Sequence, residues 1–311
     1  MSIDVNTLHI SDQRMKKILS GIKDVVSGYA YVLPALIPII IVIIYPIIAT
    51  ITISFTNWNG VSQNWRFTGF ENYLTLLEDQ NFIAAFRNSL IYVSAFTIIS
   101  VPLGLLIAMV FNEKLRFATI FKSLIYIPLV LPSIVVALQW RWMYNPQIGT
   151  INLFLRSIGL DALATGWLGN PKTALLAIVV VAIWQHVPFV MVLYSAGLTG
   201  ISGDVLEAAK MDGASYWQAF WYIVLPLLKK VTMIIGIMTL IYGLKLFDLV
   251  YVLTRGGPGN ASEVLANLMY FKAFQGFRQS YACAIAVVLF VMVLPAALTY
   301  VRTILKSESE E

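Results

Sequence analysis

The chain has 311 residues, of which 59% are hydrophobic and only 12% are charged. This number of charged residues is too small to cover the surface of a globular protein. The composition therefore excludes a water-soluble protein and predicts a polytopic membrane protein. The net charge of +5 does not indicate nucleic-acid binding, because the Lys and Arg residues are scattered along the edges of apolar runs rather than gathered on one face.

Six apolar runs are long enough to cross a bilayer, which takes about 20 mostly apolar residues in a helix. We expect membrane spans at 29–55, 88–111, 118–143, 173–198, 228–253 and 281–305. Their unbroken length excludes a transmembrane β-barrel, whose strands alternate over segments of about ten residues. The chain therefore divides into an N-terminal arm (1–28), an all-α transmembrane domain (29–305) and a tail (306–311).

The positive charges predict which side of the membrane each loop faces, because cytoplasmic loops are enriched in Lys and Arg. With the N-terminus inside, twelve Lys and Arg residues fall on the cytoplasmic side and eight on the other. We therefore expect both termini, and the loop at 203–226, in the cytoplasm. The first run is expected to remain as a helix, since it is too long for a signal sequence and follows a polar arm.

The sequence carries no pattern typical of an enzyme. Cys283 is the single cysteine, and His9 and His186 are far apart, so we expect no disulfide and no metal site. No GxxxxGK[ST] loop is present, so the chain is not expected to hydrolyse ATP. We predict a protein without a catalytic site and without a cofactor of its own.

One loop, LEAAKMDGAS at 206–215, mixes charged and small residues between two apolar runs. Asp204 and Glu207 have the spacing of a helix capping box, so a short helix is predicted to begin near Val205. Gly213 is predicted to end it, because glycine readily adopts the left-handed conformation. The loop should therefore begin with a short helix and then bend.

A second helix is predicted directly after the bend. Ser215 and Gln218 have the spacing of a second capping box, and Pro226 is expected to turn the chain into the fifth span. Ala208 and Ala209 would let another protein approach the first helix closely. From the residues alone, an amphipathic helix lying in the lipid headgroups is an equal alternative.

The loop resembles the EAA motif of permease subunits of ABC importers. The matching residues are Glu207, Ala208, Ala209, Asp212, Gly213, Ile223, Leu225 and Pro226. Two further stretches resemble the carbohydrate-uptake branch of this family, FTGFENYLTLLEDQNFIAAFRNSL at 67–90 and FDLVYVLTRGGPGNASEVLANLMYFKAF at 247–274. Lys230 departs from the family pattern, because many members carry proline there.

The resemblance implies a type I importer fold with six transmembrane helices, in which the EAA loop is a coupling helix that docks on an ATPase subunit. Glu207 would make a polar contact, Ala208 and Ala209 would allow close packing, and Asp212 and Gly213 would form the bend. Implied partners are a second, homologous permease chain, two ATPase subunits that bind ATP and Mg, an extracytoplasmic binding protein, membrane lipid and a sugar. The implied location is the bacterial inner membrane.

Polar and aromatic residues in the fourth and fifth predicted spans are candidates to line a substrate path, since ionisable groups within membranes usually face a cavity or the protein interior. They are Trp184, Gln185, His186, Tyr194, Tyr242, Lys245 and Asp248. Lys245 and Asp248, three residues apart, could instead pair on one helical face. The aromatic residues could instead belong to an interfacial belt.

The resemblance also places the docking site of the binding protein in the outer loops, with Tyr73, Glu78, Gly256, Gly257 and Pro258 as candidates. An alternative function is a secondary transporter driven by an ion gradient. That class usually has acidic groups buried within its spans and an internal repeat. Only Asp248 comes close to the first feature, and no repeat is evident.

Overall fold

The computed structural model describes residues 32–112 and 118–308. The predicted arm therefore lies outside the described residues, as do the end of the tail and part of the second loop. The chain divides between Ile53 and Ser54 into two units. The first contains nearly all of α1 (Val32–Ser54), an apolar helix with one π-helical turn at Ile40–Ile44.

The second unit is helical, apart from one isolated bridge between Thr56 and Phe67 among the described residues. Its helices are α2 (Glu71–Glu78), α3 (Gln80–Asn112), α4 (Ala118–Val130), α5 (Ser133–Met143), α6 (Thr150–Ser157), α7 (Ala174–Thr199), α8 (Gly203–Met211), α9 (Tyr216–Ala219), α10 (Leu225–Leu227), α11 (Lys229–Leu244), α12 (Asp248–Leu253), α13 (Leu265–Phe274) and α14 (Gln279–Glu308).

In the described part of the chain, five segments are long and apolar enough to cross a membrane, and a sixth candidate is a pair of helices with a sharp bend between them. The five are Val32–Ser54, Gln80–Phe111, Ala174–Thr199, Lys229–Leu253 and Gln279–Leu305. Lipid offers no hydrogen bonds to a bare backbone, so long helices are the structure that such apolar runs adopt.

The third predicted span is not one helix. Its two halves, Ile120–Val130 and Ser133–Met143, are bent by 101°. Pro132 lies at the break with an extended backbone, φ −59° and ψ 137°, and proline cannot donate the hydrogen bond that would continue a helix. Gln185 of α7 donates from Nε2 to the carbonyl oxygen of Leu131 at 3.1 Å. One backbone carbonyl at the break therefore has a hydrogen-bond donor within the protein.

The fifth predicted span is also interrupted. Helix α11 ends at Leu244 and α12 begins at Asp248, so Lys245 and Asp248 do not share one regular helical face. Their charged atoms are further apart than 4.0 Å in this described segment. The prediction that they pair on a helix is wrong, because the helical spacing on which it rested ends at Lys245.

Three clusters of buried side chains hold the second unit together. One centres on α7 where it packs on α3, α5 and α12, with Phe96, Val136 and Ile178 fully buried. A second joins the other halves of α3 and α7 to the start of α11. The third packs α2, α3 and α13 against α14. Helix α7 is thus the central element of the second unit. The loop that contains α6 precedes it, and the loop at 203–226 follows it.

Candidate functional site

The segment between α7 and α11 begins with two short helices, α8 and α9, which are separated by a bend. Ser202 caps α8, because its Oγ accepts a hydrogen bond from the backbone N–H of Asp204 at 3.3 Å. The predicted capping box of Asp204 and Glu207 is therefore wrong, and the helix begins at Gly203 rather than near Val205. Asp204 instead lies in the first turn, where a carboxylate is favoured by the positive end of the helix.

The bend lies at Gly213, whose φ is +80°. The N–H of Gly213 donates to the carbonyl of Lys210 at 3.1 Å, and that of Ala214 donates to Ala209 at 3.0 Å, as in helices that end at glycine. A Cβ at Gly213 would meet open space, so the backbone conformation, not crowding, favours glycine. The prediction that Gly213 ends the helix is confirmed.

The second capping box is confirmed. Ser215 Oγ accepts from the N–H of Gln218 at 3.3 Å, and Gln218 Oε1 accepts from the N–H of Ser215 at 2.7 Å. A π-helical segment, Phe220–Val224, follows α9. It ends two residues before Pro226, and its wider turn accommodates a residue that lacks an N–H and would clash with the preceding turn.

Most residues of α8 are exposed, and we call one row of them along the helix the exposed strip: Asp204, Glu207, Ala208 and Met211. Ala209 points the other way and is buried against the chain itself, so it does not present the smooth surface expected from the sequence. The Met211 side chain is 86% exposed. Met211 was not among the predicted residues, although its position three and four residues after Ala208 and Glu207 places it on their face.

In the second half of the loop, Ile223 and Leu225 are half-buried, while Asp212 and Pro226 are exposed. Asp212 is the C-cap residue of α8, and its N–H donates to the Ala208 carbonyl at 2.9 Å. The structure therefore places the small, charged and bend-forming residues of the motif at one end of the bundle, connected directly to α11.

A cavity of about 580 Å³, the central cavity, lies where the break between α4 and α5 approaches α7 and α11. It brings together four of the predicted path residues, Gln185, His186, Tyr242 and Lys245. Ser133 and Tyr300, which sequence analysis did not single out, also line it. Ser133 could have been suggested by its position directly after the proline break.

Polar and aromatic contacts hold the wall of the central cavity in place. His186 Nε2 lies 3.2 Å from Thr239 Oγ1, and its ring stacks on that of Tyr242 with centroids 4.8 Å apart. Phe96 also packs against the histidine, with ring centroids 4.9 Å apart, and lies 6.2 Å from the Tyr242 ring. The Tyr242 side chain remains 50% exposed and is therefore free to meet a ligand.

Asp248 lines a smaller adjoining cavity of about 170 Å³, which shares Gln185, Tyr242 and Lys245 with the central cavity. Both broken spans thus border these adjoining cavities, whose walls combine polar and apolar side chains. In membrane proteins, irregular backbone at membrane depth is tolerated where it is buried in protein or lines a cavity. The two breaks are therefore compatible with membrane depth, because they line cavities inside the protein.

The structure does not bring Trp184 and Tyr194 to the central cavity. Trp184 packs edge to face on Trp140 with centroids 5.5 Å apart and lines a different, apolar groove with Leu124 and Pro128. Tyr194 is fully buried in the second core cluster. Side chains separated by one or two positions on a helix point in different directions, which explains why Trp184 is separated from its neighbours Gln185 and His186.

The glycine-rich loop after α12 is fastened to α3. Asn88 Nδ2 donates to the carbonyls of Asn260 and Glu263 at 2.9 and 3.0 Å. Glu263 is buried, and burial raises the pKa of its carboxyl group although Asn267 and the Val264 N–H donate to it. Hydrogen bonds to α3 therefore hold this loop in place, and the loop does more than reverse the chain direction.

The five predicted docking residues lie in two places. Gly256 is buried with φ +86°, and the Glu263 carboxylate occupies the position that a Cβ would take; Gly257 and Pro258 are half-buried. Tyr73 is held by its hydroxyl, 2.7 Å from Ser54 Oγ, whereas Glu78 is exposed.

Asp79, next to Glu78, ties three elements together. Its carboxylate accepts a hydrogen bond from Tyr281 at 2.6 Å and lies 3.5 Å from Lys272 Nζ. Burial acts to raise the pKa of Asp79, but the hydrogen bonds from Tyr281 and the Asn81 N–H, with the charge of Lys272, outweigh it and lower the pKa. The charged form of Asp79 therefore stabilises the fold.

We expect Asp79→Asn to lower the free energy of unfolding at neutral pH by about 1 kcal/mol. The lowered folded-state pKa gives stability that is present above the unfolded value, about 3.9, and is lost as pH falls through the folded value. Thermal unfolding of the purified protein should show the difference from wild type at pH 7 and a smaller one below pH ~4. Exposed Glu78→Gln is the control, and a difference independent of pH would contradict the assignment.

Known proteins are similar to this chain over most of its length. Residues 100–307 match the family described as binding-protein-dependent transport system inner membrane component. The chain is 37% identical over 278 residues to a probable ABC transporter permease protein of Pyrococcus horikoshii, covering 89% of this chain and 95% of the relative. It is 35% identical to the trehalose/maltose transport system permease protein of Thermococcus litoralis, covering 88% and 92%.

A solved structure has a similar fold. A bacterial ABC transporter involved in the import of the acidic polysaccharide alginate contains a chain with a TM-score of 0.78 and 26% identity to this one. The match covers 92% of this chain and 99% of that chain. The predicted fold class, an all-α membrane protein of the type I importer kind, is confirmed.

Proposed function

Because this chain belongs to the family of binding-protein-dependent transport system inner membrane components, we propose that it forms half of the translocation path of an ABC importer for a sugar or oligosaccharide. A second, homologous permease chain completes the path, and two ATPase subunits supply the energy. An extracytoplasmic binding protein delivers the solute. Both termini and the α8–α9 loop face the cytoplasm.

The observation that carries the proposal is the exposed strip of α8, followed by the bend at Gly213. The strip joins a carboxylate, a small residue and a flexible thioether, Glu207, Ala208 and Met211. Methionine adapts to irregular apolar grooves, while Ala208 allows close approach. We assign this surface to docking on an ATPase subunit, and the short connection through α10 to α11 would pass its motion to the membrane helices.

The central cavity supports a sugar as the solute. Gln185, His186 and Ser133 offer donors and acceptors for hydroxyl groups, and the exposed face of Tyr242 offers an apolar surface for a sugar ring. The names of the relatives point to the same class, since one is a permease for trehalose and maltose and one structure belongs to an alginate importer. The positive charge of Lys245 in the central cavity is also compatible with an acidic sugar.

The ion-coupled secondary transporter is not favoured. The family match and the relatives are permeases of ABC transporters. Asp248 lies at the N-terminus of α12, and Lys245 lines the same small cavity. A cation beside the carboxylate would oppose the binding of a coupling ion.

Tyr242→Leu should raise the sugar concentration needed for half-maximal uptake about tenfold, because loss of one ring contact and its hydroxyl costs about 1.4 kcal/mol. The measurement is uptake of radiolabelled sugar into proteoliposomes containing the full complex. Trp184→Leu is the matched control, since Trp184 lies outside the central cavity. Equal behaviour of the two variants would contradict the assigned path.

A further inference from the structure

Helix α6 buries one polar side chain, that of Asn152. Asn152 is buried, and its Nδ2 donates to the carbonyls of Pro146 and Thr165 at 3.2 and 2.9 Å. Its Oδ1 accepts from Trp167 Nε1 at 2.8 Å. The hydrogen-bonding capacity of this side chain is therefore used within the loop that connects α5 to α7.

The opposite side is apolar and exposed. Five large side chains of α6 and the turn after it are 44–63% exposed, and we call them the interfacial face: Leu153, Phe154, Ile158, Leu160 and Leu163. Soluble surfaces rarely gather so many large apolar groups. An arrangement with polar groups inside and apolar groups outside is unfavourable in water and favourable against lipid.

The level of α6 along the bundle is fixed by α7. Helix α7 has 26 residues, or about 39 Å at 1.5 Å per residue, enough to cross the hydrocarbon core of about 30 Å. Its first residues therefore lie at one membrane boundary. Thr173 Oγ1, just before α7, donates to the Trp167 carbonyl at 2.7 Å, and Trp167 in turn binds Asn152. Helix α6 thus lies at the same boundary.

The charges of this loop favour anionic headgroups. Residues 141–172 contain three cations, Arg141, Arg156 and Lys172, and one carboxylate, Asp161, and all four are exposed. The apolar exposure also continues onto α5, where Leu138 and Trp142 are more than half exposed. Cationic groups beside an apolar face are typical of helices that lie on a membrane surface.

We propose that the interfacial face is inserted between lipid headgroups, so that α6 lies on the bilayer surface and anchors the end of the broken third span. Helix α5 has 11 residues, about 16 Å, too short to cross the bilayer alone. Its depth is therefore not set by its own length. The anchor sets that depth, whichever side of the membrane α6 occupies and whatever solute is carried.

Single-cysteine spin labels in the full chain test the proposal, in a Cys283→Ala background and in vesicles of phosphatidylethanolamine and phosphatidylglycerol. Phe154→Cys, Ile158→Cys and Leu163→Cys are labelled separately, so that one poorly folded variant does not decide the outcome. Leu138→Cys, on α5, is the lipid reference, and Gln63→Cys, at an exposed position in the loop between α1 and α2, is the aqueous control. Collision with oxygen and with a water-soluble nickel chelate is measured by power saturation.

We expect labels on the interfacial face to be accessible to oxygen and shielded from nickel, as at Leu138, with the reverse at Gln63. Accessibility to nickel at the interfacial face would place it in water and overturn the proposal. Protection from both reagents would also overturn it, because the face would then be covered by protein, such as a second copy of this chain.

Discussion

Replacing Gly213 with valine is expected to abolish most sugar uptake while the chain still inserts into the membrane. A β-branched residue at φ +80° is strained by about 1–2 kcal/mol, which shifts a two-state equilibrium about 5–30-fold. The bend between α8 and α9 would then be lost or displaced, so ATP hydrolysis would no longer be linked to movement of α11.

The control for this experiment is Gly213→Asn, because asparagine tolerates the left-handed conformation better than other residues. It should keep most of the uptake. Gly203→Ala is a second control in the same loop. A Cβ at Gly203 would meet open space and its φ is not positive, so alanine is accommodated there without strain. Uptake and ATP hydrolysis are measured together in proteoliposomes of the complex. Wild-type uptake by Gly213→Val would show that the bend is not needed for coupling.

A second large effect is expected on stability at Gly104, where α3 crosses α7. An added Cβ would lie 2.6 Å from the Cβ of Val190 and 3.2 Å from the backbone nitrogen of Met191. Neither atom can rotate away, so the helices must separate. We expect Gly104→Ala to lower the free energy of unfolding by about 1–3 kcal/mol, as overpacking does.

Gly236→Ala is the matched control for Gly104→Ala. Gly236 lies inside α11 with open space around the position of a Cβ, and replacement of a helical glycine by alanine stabilises a helix by roughly 0.5–1 kcal/mol. The two variants should therefore shift the melting temperature of the purified protein in opposite directions. Equal shifts would mean that α3 and α7 are not in close contact in the membrane.

The sequence predicted the helical membrane fold because long apolar runs have one stable form in lipid. It did not predict the breaks at Pro132 and Lys245. Apolar composition continues through both breaks, and a proline within an apolar run can either kink a helix or end it. The distinction depends on partners distant in sequence, such as Gln185, which binds the carbonyl of Leu131.

The candidate site was predictable where spacing alone determines geometry. The bend at Gly213 and the Ser215–Gln218 capping box follow from residues close in sequence. The direction of Ala209 depends on how α8 packs against the bundle, and the separation of Trp184 from the central cavity depends on how α7 faces its neighbours. Such orientations are set by tertiary packing, which local spacing does not specify.

Coupling through α8 is tested most directly by ATP hydrolysis of the complete complex in lipid nanodiscs, with sugars loaded on the binding protein one at a time. We predict that one sugar class stimulates hydrolysis, and that Glu207→Ala combined with Met211→Ala removes this stimulation. Gln275→Ala, at an exposed position in the segment between α13 and α14, should leave the stimulation intact. Stimulation that persists in the Glu207 and Met211 variant would contradict the assignment of this surface to ATPase docking.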